Sequence, residues 1–357
     1  MAVFGVMHGM HGMHGMHGMH GMHGMHGMGG YGDLPPGALA GIQTSTEAIK
    51  HVAGLDALSP VGLEPLTPGS AANLKRWSPD IRAMLLQNAV NRHVGHAADD
   101  AVSYVSLTWN GNAVVTLKPV TTVTMAKQCD WVRYYADQRS DRGNEILSQL
   151  GSFSAYFAVL LGLTDGRNPK TLELLDVVQT IAGQITMLPK HLFAVRRPAE
   201  IDARVSPLIT TPAHGSFPSA HATQAMAMAR VIDALIRANP SHFGDMETRI
   251  DLCYRQAHRI AVNRTVAGVH FPMDSAAGAR LGLQMGNILV AAMTGGGTVH
   301  AFDAYDPDDT PDFDFLYDHA KALRNVGGGA DVAVAAEPLL AWLWGQAKDE
   351  FALHAAV

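Results

Sequence analysis

Three consecutive stretches of helical periodicity, at about 219–238, 245–267 and 273–293, constrain this chain more than any other feature. In the first, Ala222, Ala225, Met226, Ala229, Ile232, Leu235 and Ile236 recur at steps of three and four before Asn239-Pro240 stops the run. In the second, Ile250, Cys253, Tyr254, Ala257, Ile260 and Ala261 form one stripe. In the third, Gly278, Gly282 and Gly286 repeat every four residues, which suits close helix–helix contact. Further helical text lies at about 131–163 and 171–188. Ser78-Pro79 opens a helix to about Val94, and Glu337-Pro338 opens a last one carrying Trp342 and Trp344. Val105, Leu107 and Trp109 alternate up to Asn110-Gly111, then Ala113, Val115 and Leu117 alternate after it. That pattern predicts one β-hairpin, near 102–118. The expected fold is mainly α, a helical bundle with a single small hairpin.

The remaining segments carry less. Residues 7–28 repeat Met-His-Gly, with histidines at His8, His11, His14, His17, His20, His23 and His26. Glycine at every third position opposes helix and strand, so disorder is expected over 1–41, up to and including a Pro35-Pro36 linker. Imidazole and thioether groups suit copper or nickel, which makes the tail a weak metal-site candidate, against the simpler reading of an expanded repeat with no role. Seven aspartates between Asp303 and Asp318 lack the glycine-centred loop and closing glutamate of a calcium site, and read as a solvated loop. The expected organisation is a tail (1–41), a helical region with the hairpin (42–150), a helical core (151–294), and an acidic loop with a C-terminal helix (295–357).

Composition narrows the function classes. The 357 residues are 47% hydrophobic and 16% charged, as in a globular protein, and the net charge of −6 gives no general reason to bind nucleic acid. Cys129 and Cys253 make neither a disulfide framework nor a metal cluster. No basic-then-apolar leader is visible, which favours the cytoplasm and leaves export open. Leu150–Thr164 is too short for a membrane span, and Leu281–Phe302 is interrupted by Gln284, Asn287 and Gly295–Gly297. Homo-oligomerisation is left open.

Three short blocks hold the chemistry. In "AHGSFPSAHATQA", Ser219 is placed to cap a helix whose first N–H groups, at Ala220 and His221, face outward, an arrangement that attracts anions. His214 stands seven residues earlier. Continuing the stripe of the second helix by seven from Ala257 puts Arg264 on a buried face. It needs an anionic or hydrogen-bonding partner there, either a ligand or one of the 32 acidic residues. Gly268 suits the helix end, and Pro272 the next helix start. Asp274, four residues after His270, is placed to fix the imidazole tautomer. In Pro189-Lys190-x6-Arg197-Pro198, proline is expected to start and end a short helix with Lys190 and Arg197 on one face.

Lys190-x6-Arg197-Pro198, Pro218-Ser219-Ala220-His221 and Arg264-x5-His270-x3-Asp274, in that order, resemble the tripartite signature of the type 2 phosphatidic acid phosphatase and vanadium haloperoxidase superfamily. The resemblance covers about 190–278. Two positions depart from it: Ala220 replaces the usual glycine and Asn263 the usual serine. The resemblance implies a helical bundle holding one tetrahedral oxyanion through Lys190, Arg197, Ser219, the Ala220 N–H, Arg264 and His270. In a soluble acid phosphatase, which needs no cofactor, His270 is the nucleophile, Asp274 its partner and His221 the acid–base group acting on a small phosphate ester. In a haloperoxidase the cofactor is vanadate, the substrates are peroxide and halide, and His214 resembles a halide-site modulator of bromoperoxidases. The compact spacing favours the phosphatase. A non-catalytic metal- or anion-binding protein is the third reading.

Overall fold

The computed structural model describes residues 66–325 and 327–352, together with a few positions between 41 and 47. The Met-His-Gly repeat lies outside the described residues. The chain divides into two compact units, of which the larger runs from residue 86 onward and the smaller ends at residue 85. Within the smaller, Ser70 caps a 3-10 turn over Ala71–Arg76, and the Arg82 guanidinium donates to the carbonyls of Leu74 and Trp77, both at 2.7 Å.

The helices are α1 (Pro79–Asn91), α2 (Thr122–Tyr135), α3 (Arg139–Ser148), α4 (Ser154–Leu161), α5 (Pro169–Gln184), α6 (Met187–Phe193), α7 (Pro198–Ile201), α8 (Ala220–Arg237), α9 (Met246–Val266), α10 (Pro272–Met293), α11 (Tyr317–Leu323) and α12 (Pro338–Ala352). The fold is mainly α, as the periodicity predicts. α8 is the central element: it packs against α10, α9 and α5, and α12 covers the outer side of α5. Nearly all of α8 is buried, from Ala222 to Met228 without a break. Its small side chains let three neighbours approach.

The closest approach is between α8 and α10. A Cβ at Gly278 would lie 2.4 Å from the Ser219 carbonyl oxygen, and one at Gly282 only 2.2 Å from that of Thr223. The glycine repeat is therefore a backbone-to-backbone seam. Gly268, at φ +82°, ends α9 in the left-handed region, and Pro272 starts α10.

Several expectations need correction. The helical text at 131–163 is three helices and a 3-10 turn (Ala136–Gln138), with a break at Gln149–Phe153. The first helix stops at Asn91, three residues before Val94, because β1 (Val94–Ala98) begins there. β1 pairs antiparallel with β2 (Val105–Trp109), which pairs with β3 (Asn112–Leu117), so the hairpin is part of a three-stranded sheet. β1 contains Gly-His-Ala-Ala and shows no apolar alternation. A second sheet pairs β4 (Gly297–His300) with β5 (Asp331–Val334). The acidic segment is more than a solvated loop: Asp308 accepts from the Thr121 N–H and hydroxyl, and Asp314 from Tyr135. Among the described residues no helix is long and apolar enough to cross a membrane, no acidic, histidine or cysteine group is arranged to hold a metal, and both cysteines are unpaired and buried.

The seam gives a direct test. Gly282→Val adds three carbons where a single Cβ already meets backbone, so stability should fall by about 2–3 kcal/mol. In thermal unfolding that is a drop of roughly 5–10 °C in Tm. An unchanged Tm would mean that α8 and α10 are not in backbone contact.

Candidate active site

The α8–α10 seam places two of the three sequence blocks. The Ser219 N–H donates to the Asp274 carbonyl at 2.9 Å, which ties the start of α8 to the first turn of α10. Ser219 caps α8, its hydroxyl accepting the Ala222 N–H. The third block arrives differently from expectation. α6 begins at Met187 and ends at Ala194, which adopts φ +48°, while Arg197 is the N-cap of α7 and Pro198 starts that helix. Lys190 and Arg197 therefore belong to different helices. A proline predicts the residue that follows a helix start better than it predicts a stop, and both prolines here occupy starting turns.

Both cations still reach one place. Lys190 is buried, and its Nζ donates to the carbonyls of Gly215 (3.0 Å) and Ser216 (2.8 Å). A Cβ at Gly215 would lie 2.6 Å from the Lys190 carbonyl oxygen, so glycine is what allows this approach. Arg197 donates to the carbonyls of His214 (3.1 Å) and Val269 (2.7 Å). Its Nη1 also lies 3.0 Å from His270 Nε2, and its Nη2 3.1 Å from His214 Nδ1. Guanidinium only donates, so both imidazole atoms accept. Burial lowers the pKa of both cations, that of Arg197 to about 10.

Arg264 is buried on α9, where the stripe puts it. Its Nη2 donates to Gln149 Oε1 (2.9 Å) and to the Ile146 carbonyl (3.2 Å), while Nε and Nη1 are buried with no hydrogen-bond partner among the described residues. Among the described residues no carboxylate forms an ion pair with it. Burial pushes its pKa down to about 10. An unsatisfied buried charged donor is costly, and nothing among the described residues offsets that cost at these two N–H groups.

His270 and Asp274 form the expected pair, with Nδ1 to Oδ2 at 2.8 Å. The same Oδ2 accepts the Phe271 N–H (3.0 Å) and the Ser216 hydroxyl (2.5 Å). Burial, then the positive charge of Arg197 and Lys190, drive the His270 pKa well below its usual 6.5, and burial raises that of Asp274. The imidazole is therefore neutral, with its proton on Nδ1 and the Nε2 lone pair facing the cations. His221 stacks on Phe153 at a 5.6 Å centroid distance, and its Nε2 donates to the Gln149 carbonyl at 2.9 Å.

Five of these side chains, but not Lys190, Ser219 or Asp274, line one small cavity of about 50 Å³. Arg197, Arg264, His214, His221 and His270 form its polar end, and Leu150, Met187, Ile209 and Pro212 its apolar wall. Ala220 also lines it.

Two contributors are not singled out by the sequence. Gln149 orients Arg264 and Asn263 through Oε1, holds His221 through its carbonyl, and is itself held by Glu145 Oε1 at 3.1 Å. Ser216 ties Asp274 to the Lys190 loop. Ser216 stands inside the conspicuous polar stretch, but nothing marks Gln149, which lies 41 residues before Lys190.

Residues 174–295 match the family model of the PAP2 superfamily, a span that contains all three blocks. That segment, about a third of the chain, is therefore similar to this superfamily, whose members generally hydrolyse phosphate esters. No curated protein matches the chain.

Two outcomes follow from the geometry. Arg264→Lys keeps a charge but loses Nε, Nη1 and the bond to Gln149, so tungstate affinity measured by calorimetry should fall about tenfold or more. Equal affinity would mean that Arg264 does not face the anion. In histidine ring NMR of the anion-free protein, His270 should stay neutral as pH falls through 6.5, where an exposed imidazole takes up its proton. A normal titration there would show that burial and Arg197 do not control it.

Proposed function

We propose that this chain is a phosphomonoesterase that works through a phosphohistidine and needs no metal. The observation that carries the proposal is the pairing of a neutral imidazole, its Nε2 lone pair among buried cations, with the two unsatisfied N–H groups of Arg264.

The phosphate oxygens take the Arg264 Nε and Nη1, the Arg197 guanidinium, and the N–H groups of Ala220 and His221 at the start of α8, which Ser219 caps. Arg197 Nη1, which binds Nε2 in the anion-free site, transfers that bond to a phosphate oxygen and releases the lone pair. Nε2 then attacks phosphorus in line, and the N–P bond forms as the P–O bond to the alcohol breaks. Asp274 accepts the Nδ1 proton's hydrogen bond throughout and stabilises the positive ring. Because His221 Nε2 is committed to the Gln149 carbonyl, proton exchange falls to His221 Nδ1. It protonates the leaving oxygen, then takes a proton from the water that attacks the phosphohistidine. Phosphate leaves and the N–P electron pair returns to Nε2. The cations stabilise the equatorial oxygens at both steps. The apolar wall of Leu150, Met187, Ile209 and Pro212 suits an uncharged aryl or alkyl alcohol.

A second reading is a vanadium haloperoxidase, favoured by one observation: His214 lines the cavity and accepts from Arg197. The unsatisfied Arg264 donors fit vanadate as well as phosphate, and Lys190, Arg197, Ser219, Ala220, Arg264 and His270 would hold it. Bound vanadate would supply peroxide activation for halide oxidation. In that reading His214 and His221 manage protons beside it.

The experiment uses purified full-length chain with p-nitrophenyl phosphate and no added metal. The phosphatase reading expects turnover, inhibition by vanadate, and an acid-labile phosphoryl group trapped on His270. His270→Ala should lower kcat by at least about 10⁴-fold, and His221→Ala should slow alkyl esters more than the activated aryl ester. Bromination of a dye with vanadate, peroxide and bromide, without phosphatase turnover, would establish the second reading instead. Tungstate binding with neither activity would leave an anion-binding protein.

A further inference from the structure

A second polar space lies further along the same helices. Two adjoining cavities, of about 250 and about 470 Å³, share Arg230, Asn287, Arg324 and Asn325 in their walls. Arg230 is on α8, Asn287 on α10, and Arg324 caps the C-terminal end of α11. Arg230 lies eleven residues beyond Ser219, about 16 Å along the helix, so one ion cannot serve both sites.

Arg230 is held in place by neutral groups. Its Nε donates to Asn287 Oδ1 at 2.6 Å. Asn287 Nδ2 donates to Gln284 Oε1 at 3.4 Å, and Gln284 Nε2 to the His300 carbonyl at 3.0 Å. A Cβ at Gly286 would come within 2.7 Å of Arg230 Cβ and 2.8 Å of its Cγ, so the absent side chain there lets the arginine stem lie flat on α10. Among the described residues no carboxylate lies within 4 Å of Arg230. Arg324 is stacked on the Tyr254 ring, 4.1 Å from its centroid. Its nearest carboxylate, Asp251 at 3.9 Å, is already engaged by Arg255 (2.6 Å) and the Tyr317 hydroxyl (2.6 Å). The acidic residue in the wall, Asp233, is taken by Arg237 (2.7 Å) and by the Tyr254 hydroxyl (3.2 Å).

Of the three guanidiniums that border this polar space, Arg237 is paired with Asp233 and Glu247, whereas Arg230 is oriented by an amide and Arg324 chiefly by an aromatic ring. We infer that this cavity is a second oxyanion site, in which Arg230 and Arg324 bind a phosphate group, either free phosphate or the phosphoryl end of a small ester.

The test is a tungstate soak of crystals of the full chain, with anomalous scattering locating tungsten. A peak between Arg230 and Arg324, in addition to any at Arg264, is expected. Calorimetry should count one fewer tungstate per chain in the Arg230→Gln/Arg324→Gln double variant, with p-nitrophenyl phosphate turnover retained. Should that variant fail to fold, Thr298→Glu, at the exposed rim of the larger cavity, puts a carboxylate there and should abolish the second binding event alone. Displacement of the second tungstate by inorganic phosphate marks a free-ion site, and stronger displacement by a methylphosphonate monoester marks an ester site. Absence of the second peak, or displacement by neither probe, overturns the inference. Both results are independent of whether the first site hydrolyses anything.

Discussion

The backbone contact between α8 and α10 is the constraint on which the site depends. At Gly278 and Gly282 the two helices meet with no side chain between them, and the Ser219 N–H reaches the Asp274 carbonyl only because they do. That single bond fixes the capped start of α8 beside the turn that carries His270. The anion-attracting helix end and the neutral imidazole are therefore set by one packing decision, made in the interior rather than in a loop. Small residues at positions facing the seam are the sequence counterpart of that decision, and Ala222 opposite Gly278 belongs to it as much as the glycines do.

Electrostatics then impose an asymmetry. Lys190, Arg197 and Arg264 are all buried, and the site contains one buried carboxylate, Asp274, itself committed to His270, Phe271 and Ser216. The cations are solvated by carbonyls at Gly215, Ser216, His214, Val269 and Ile146 rather than neutralised. Carbonyl dipoles lower the cost of burying a cation without cancelling its charge. In the function proposed above, a pocket so built would favour a dianion over a neutral molecule before any chemistry begins, and ligand binding would return part of the burial cost as stability.

What the sequence showed of this depended on period and punctuation. Arg264 was legible because a charge on an apolar stripe contradicts the stripe. Ser219, Gly268 and Pro272 were legible because caps have local causes. The position of α6 was not, since Pro189 sits inside the first turn rather than opening it, and Ala194 ends the helix in a left-handed conformation that no glycine announces. β1 was missed because its partners lie across a turn and its own residues carry no alternation. β4 and β5 are four residues each, paired over thirty residues of chain, too short and too distant for a periodic signal. Gln149 is the same kind of case at the site: its role exists only once α3 is docked on α9, and an isolated glutamine before a helix break carries no mark of it.

Gln149 also shows why an amide rather than an acid holds the arginine. A carboxylate at that position would orient Arg264 equally well but would neutralise the charge the anion needs. An amide oxygen accepts one N–H, fixes the plane of the guanidinium, and leaves the net charge in the pocket. Asn287 stands in the same relation to Arg230, with its own amide held in turn by Gln284, as that of Gln149 is held by Glu145. Behind Gln149 stands an acid, Glu145, paired with Arg259, whereas behind Asn287 stands a second neutral amide, Gln284. The shared device keeps a guanidinium rigid and uncompensated at once. For the two proposed oxyanion sites, that rigidity would limit the entropy lost on binding, and the uncompensated charge would supply the attraction.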